Sequence, residues 1–205
     1  MTTPSESPAG TGIADPAPLG LAAFALTTFL LSASNAGLMK NGTGDAFLGY
    51  AFAYGGLGQL LAGMWEFRNR NVFGATAFSS YGGFWIGIGL YVLLVAGNQP
   101  AGSPAVGKDL AWILLSFAIF NTYMLLWSMQ INGAVFAVFL TLEATEILLF
   151  VGGFAGNANI SKIGGYVGIL TALVAWYASA AGVVTGMAGR PVLPVGRRLV
   201  NFTRR

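Results

Sequence analysis

The sequence predicts an all-α integral membrane protein, a bundle of six transmembrane helices. Three observations carry this. Of 205 residues, 55% are hydrophobic and 8% charged, against about 25% charged in a typical soluble domain, so too few charges remain to solvate a globular surface. The apolar residues fall in blocks near the length of about 20 residues that a bilayer demands, and mean hydropathy is +0.69. Between the blocks the chain collects Gly, Asn, Pro and charge, which is turn chemistry. Every break is short, so the blocks pack as one unit.

The first span is predicted over Leu19–Met39, opened by Asp15-Pro16-Ala17-Pro18-Leu19-Gly20-Leu21. Asp15 reads as its N-cap and Pro16 as the first helical residue. Residues 1–14 are polar and carry no Lys or Arg. They lack the basic start of a secretory signal and read as a disordered arm. Within the span lie Thr27, Thr28, Ser32, Ser34 and Asn35. Thr and Ser can satisfy themselves on the preceding turn's carbonyls. Asn35 does so less easily and is the stronger functional candidate.

The second span is predicted over Ala46–Trp65 and the third over Ala75–Gly97. The third opens with Phe73-Gly74-Ala75-Thr76-Ala77-Phe78-Ser79-Ser80-Tyr81-Gly82-Gly83-Phe84-Trp85, dense in hydroxyls, aromatics and Gly. Tyr81 lies deeper there than an interfacial aromatic belt requires. The fourth span is predicted over Leu110–Met129, the fifth over Ala134–Gly153 and the sixth over Gly164–Met187. The transmembrane domain thus covers 15–190, with 191–205 a basic tail.

The fifth span holds the sharpest anomaly, Glu143 and Glu146. A carboxylate at mid-membrane costs about 2.5–3.5 kcal/mol on insertion scales. No Lys or Arg lies well inside any span to pair with them. Burial without a cation favours the neutral acids, which makes both proton-coupling candidates. Three-residue spacing puts them on neighbouring positions of one face. They must face a wet pore, a subunit seam or polar side chains rather than lipid.

Gly83-x-x-x-Gly87, Gly152-x-x-x-Gly156, Gly164-x-x-x-Gly168 and Gly182-x-x-x-Gly186 let helix backbones approach closely, within the bundle or between subunits. An even number of spans places both termini on one side. That side holds Arg68, Arg70, Arg190, Arg197, Arg198, Arg204 and Arg205, against Lys40, Lys108 and Lys162 on the other. The bias predicts cytoplasmic termini.

The chain contains no Cys and no His. Disulfide and thiolate chemistry is excluded, and with His goes the commonest base and metal ligand. No cofactor motif or metal-ligand set is present, so an enzyme is the least favoured class. The net charge of +3 resides mainly in the tail and marks no nucleic-acid surface. An anion site without internal Lys or Arg must use hydroxyls, amides or free helix N–H groups.

The first signature resembles the N-P-A-P-L-G-L motif of the acetate uptake transporter family, the succinate–acetate permeases. Ala62-Gly63-Met64-Trp65-Glu66-Phe67 and the stretch Phe73–Trp85 resemble its second motif, and Ala155-Gly156-Asn157-Ala158-Asn159-Ile160 the segment after its fifth span. The resemblance covers about residues 15–195. It implies six helices per subunit in a homohexamer. Acetate, or sometimes succinate, would cross each subunit, by an anion channel or a proton-coupled permease. It implies a narrow point made by a Phe, a Tyr and a Leu. Phe24 matches by its place after the first signature, Tyr81 by its place in the second motif, and Leu142 by gap-free spacing back from Asn157. An apolar ring of this kind gates by excluding water. Tyr81, assisted by Thr27 or Asn35, is expected to meet the passing carboxylate.

Two departures stand out. Asp15 replaces the signature's Asn. Glu143 and Glu146 replace apolar or small residues, and Glu146 lies one turn from Leu142 on the same face, on the extracellular side of the predicted orientation. The same scaffold carrying another small solute, and a structural or signalling membrane protein, are the rival readings.

Overall fold

The computed structural model describes residues 12–201 except 41, 43 and 101. Most of the expected arm, residues 1–11, and Arg204 and Arg205 of the tail lie outside the described residues. The described residues are helical throughout the bundle: α1 (Ala17–Asn35), α2 (Phe47–Phe52), α3 (Gln59–Arg68), α4 (Val72–Leu94), α5 (Pro104–Ser128), α6 (Gly133–Ala155) and α7 (Ala158–Ala188). Five of these, α1, α4, α5, α6 and α7, belong to segments long and apolar enough to cross a membrane by themselves.

The second predicted span is continuous but not uniform. A π-helical stretch, Ala53–Gly58, joins α2 to α3. Its Gly55 and Gly56 are buried, and a Cβ at Gly55 would meet the Thr27 side chain of α1. The wider π turn therefore brings backbone against α1 where no side chain fits.

Helix ends differ from expectation in ways that the caps explain. α1 starts at Ala17, because Pro16 supplies the first carbonyl, accepting from Gly20 N at 3.2 Å. Asp15 Oδ1 accepts from Ala17 N at 3.0 Å, so it satisfies a free N–H from one position further out. α7 starts six residues before the predicted Gly164. Asn157 caps it, accepting from Asn159 N at 3.0 Å and Ile160 N at 3.4 Å. α5 likewise starts at Pro104, which puts Lys108 on a helix rather than in a loop.

Small residues set the packing. A Cβ at Gly182 would lie 2.8 Å from Pro18, and one at Gly168 would lie 2.9 Å from Ser32 Cβ. Those glycines hold α7 against α1. Gly63 fits over Ser79, and Gly152 fits over Ser161, seating each helix on the next one in the chain. Gly83 and Gly87 differ. Both are exposed, and a Cβ on either would meet nothing within 4 Å.

The tail folds back on the bundle. Val195 O accepts from Ala134 N at 2.8 Å, Met129 O accepts from Leu199 N at 2.8 Å, and Tyr177 Oη donates to Pro194 O at 2.7 Å. It thereby ties the α5–α6 turn to α7 on the side where both termini lie.

Candidate functional site

Among the described residues, a series of cavities runs through the bundle and tapers. On the side away from the termini, a vestibule of about 750 Å³ is bordered by Asn35, Lys108, Asn157 and Ser161. Next is a space of about 170 Å³ between Leu31, Asn35, Phe84, Leu114 and Leu149. It is followed by an outer chamber of about 40 Å³. An inner chamber of about 20 Å³ sits toward the termini, beside Gln59 and Phe78. Asn35 lines the first three spaces.

Phe24, Tyr81 and Leu142 line both the outer and the inner chamber. Three different helices supply them, α1, α4 and α6, and all three are buried. The Phe24 and Tyr81 rings meet edge to face at 5.8 Å. Phe117 and Phe120 of α5 back Tyr81 at 5.5 and 5.6 Å. The three residues named from sequence are thus brought together in one apolar collar between two chambers. Such a collar excludes water where it closes.

The two glutamates part company. Glu146 is 2% exposed and lines the outer chamber. Tyr81 Oη stands 3.3 Å from Glu146 Oε1 and 3.1 Å from Asn121 Oδ1. Glu143 turns away from the chamber and is half-buried between α5 and α6. Its Oε2 accepts from Asn121 Nδ2 at 2.7 Å, and its Oε1 shares the Thr122 hydroxyl, at 2.8 Å, with Ala118 O, also at 2.8 Å. Asn121 also donates to Phe139 O at 3.0 Å. Side chains of three helices therefore join in one line: Glu146, Tyr81, Asn121, Glu143, Thr122.

The polar residues expected near the collar divide. Asn35 borders the route. Thr27 does not line either chamber. It is fully buried against the π-helical stretch, and its hydroxyl donates to Ala23 O at 3.1 Å, with Tyr50 O further off at 3.5 Å. Its neighbour Thr28 lines the outer chamber instead.

Sequence reasoning missed the three largest of the buried polar residues beside the collar and at the terminal side, Asn121, Gln59 and Glu66. Asn121 is fully buried and central to the network. Gln59 is 2% exposed, lines the inner chamber, and its Oε1 has no partner within the subunit. Glu66 is fully buried near the terminal side. Its Oε2 accepts from Asn69 Nδ2 at 3.2 Å, and its Oε1 is unpartnered. A Cβ at Gly74 would lie 2.6 Å from that Oε1. The signal was present in Trp65-Glu66-Phe67, an acid at the end of an apolar run, which reads equally as a span boundary. Among the described residues, no cluster of acids could hold a metal ion.

Comparison with known proteins places the chain. Residues 2–195 match the GPR1/FUN34/yaaH family. The chain is 42% identical over 195 residues to Acetate permease A of Emericella nidulans, an alignment covering 89% of this chain and 65% of that relative. It therefore spans less than two thirds of that protein. It is 34% identical over 186 residues to the succinate-acetate/proton symporter SatP of Escherichia coli, covering 91% of this chain and 97% of that one. The solved structure of the bacterial acetate channel SatP superposes with a TM-score of 0.82 at 33% identity, over 90% of this chain and 99% of the other.

Proposed function

The chain belongs to the GPR1/FUN34/yaaH family, and from that premise we propose that it carries acetate and similar small monocarboxylates across the cell membrane through each subunit. The observation that supports this most directly is the collar of Phe24, Tyr81 and Leu142, shared by the chambers above and below it. A tapering series of spaces ending in an apolar ring is the form of a gated route for a small solute. The relatives' names, acetate permease, succinate-acetate symporter and acetate channel, agree with that solute class.

In this reading Asn35 and Tyr81 guide the carboxylate, with Thr27 shaping the wall behind them. A proton travels with the substrate past Glu146, while Glu143 anchors the polar line behind it. The protein acts as a transporter and not as an enzyme. It is a multi-pass protein with both termini in the cytoplasm, and it assembles in the lipid as a homohexamer. The outward-facing Gly83 and Gly87 are available to a neighbouring helix.

The test is uptake of labelled acetate into proteoliposomes, with unlabelled propionate, succinate, ammonium and urea as competitors. The proposal expects uptake above empty liposomes, with the small monocarboxylates as the strongest competitors. A second reading, in which the scaffold carries a cation, is favoured by the Glu146 carboxyl at the chamber. Competition by ammonium alone would select it.

A further inference from the structure

Three residues that line the outer chamber each carry a buried polar atom with no hydrogen-bond partner within the subunit. They are Glu146 Oε2, Thr28 Oγ1 and Trp85 Nε1. Buried polar atoms are nearly always satisfied, so three around one small space mark it as shaped for a polar guest. The space is about 40 Å³, on a measure where one water needs roughly 10–15 Å³. A guest of a few heavy atoms fits.

Counting hydrogens defines what kind of guest. Asn121 donates one N–H of its amide to Phe139 O and the other to Glu143 Oε2. That fixes the amide and turns its Oδ1 to Tyr81. An amide oxygen carries no hydrogen, so the 3.1 Å contact must use the single hydroxyl hydrogen of Tyr81. The contact between Tyr81 Oη and Glu146 Oε1 at 3.3 Å then has no hydrogen left from the phenol. It becomes a hydrogen bond only if Glu146 is the donor, with its proton on Oε1. Glu146 Oε2 is then a carbonyl-type acceptor, unmet within the subunit, on a residue that lines the chamber.

No cation stands among the groups around Glu146. Glu143 on its own helix and Tyr81 of α4 are the titratable groups nearest to it, with Tyr123 of α5 beyond Tyr81. From α1 come Thr28 and Ser32, from α5 Asn121, and from α7 Thr171, which pairs with Thr145 at 3.1 Å. None of these is a cation.

We propose that the outer chamber receives an undissociated carboxylic acid rather than a carboxylate anion, its O–H donated to Glu146 Oε2 and its carbonyl accepting from Thr28 Oγ1 and Trp85 Nε1. Asn121 acts as a positioning residue, because it directs the Tyr81 hydrogen away from Glu146. The proposal rests on reading the chain as a carboxylate route and adds the protonation state of its cargo. An anion would set lone pairs against Oε2. The neutral acid satisfies all three open atoms, and its methyl is left for the apolar collar. No Lys or Arg is then needed in the route.

Two probes separate the cases. Acetamide is a permanently neutral relative of acetic acid that keeps a donor and a carbonyl. Methanesulfonate is a permanent anion with the same methyl group. Saturation-transfer NMR on the detergent-solubilised oligomer reads each methyl directly and needs no transport. The expected result is binding of acetamide, displaced by acetic acid increasingly as pH falls, and no binding of methanesulfonate. Glu146→Gln keeps an oxygen toward the chamber and an N–H toward Tyr81, so it should retain acetamide. Glu146→Leu should weaken acetamide roughly five- to tenfold, the loss of one hydrogen bond. Binding of methanesulfonate without acetamide overturns the proposal. So does binding of neither, the result if water alone fills the chamber. These outcomes are read on the wild-type protein and hold even if Glu146→Leu does not fold. Acetamide binding without acetate uptake would remove the transport reading and leave the site standing.

Discussion

Asn121 donates to the Glu143 carboxylate at 2.7 Å, and through that contact a residue between two helices controls a tyrosine in the collar. The two glutamates of α6 consequently differ in setting: Glu146 lines the outer chamber, and Glu143 lies at the α5 seam, where the proposed route gives it an orienting part.

Replacing Asn121 with Leu removes a fully buried side chain with three polar contacts. Glu143 Oε2 and Phe139 O both lose a donor, and the Tyr81 hydroxyl is left with only the longer contact to Glu146 Oε1. Each unmet buried group costs about 1–3 kcal/mol, so the oligomer should melt at clearly lower temperature in detergent. Thr122→Val, which deletes the other donor to Glu143 at a more exposed position, should lower the melting temperature less. Equal losses would show that Asn121 has no special place.

Leu142→Ala should widen the collar. The variant is expected to take up propionate and succinate faster relative to acetate, by several-fold, in a three-substrate proteoliposome assay. An unchanged ratio would remove Leu142 from the narrow point.

Much of the candidate site is legible in the sequence. Phe24, Tyr81 and Leu142 sit in or near recognisable motifs, and the glutamates announce themselves as acids in an apolar run. Asn121 does not, because its meaning depends on how α5 is rotated against α6, and a helix's own sequence does not contain that rotation. The same limit applies within α6. Three residues make about 300° of turn, so Glu143 and Glu146 diverge by roughly 60°, enough for one to face the chamber and the other the α5 seam. The π-helical stretch of the second span was hidden in Tyr54-Gly55-Gly56-Leu57-Gly58, where glycines indicate close approach but not which helix approaches.

Gly83→Leu tests assembly. There is room for the side chain within the subunit, since even a Cβ meets nothing within 4 Å, so the subunit should fold. If α4 lies at the seam of the proposed hexamer, native mass spectrometry should show the wild-type assembly lost in favour of smaller species. Gly168→Leu should act differently. Its Cβ presses on Ser32 inside the subunit, and the protein should lose stability before it loses assembly. An intact hexamer in Gly83→Leu would move the seam to another face.

Gly74→Ala places a methyl 2.6 Å from Glu66 Oε1. The carboxyl must then shift from Asn69, and a loss of about 1–3 kcal/mol is expected from overpacking. Thermal denaturation of the solubilised protein measures it. Gly74→Ala combined with Glu66→Ala should recover part of that loss, because the second change removes one of the two groups that are struck, the other being Asn71 Nδ2, also at 2.6 Å. No recovery would locate the damage elsewhere in the α3–α4 turn.

The account stands most directly on one comparison, labelled acetate uptake into proteoliposomes containing wild-type protein or Leu142→Trp. A tryptophan at the collar should fill the space shared by the outer and inner chambers, which together offer only about 40 and 20 Å³. The prediction is uptake well above empty liposomes for the wild type and uptake near the empty-liposome level for the variant, with the oligomer intact. Wild-type uptake no faster than through empty liposomes, or undiminished uptake through Leu142→Trp, would contradict it.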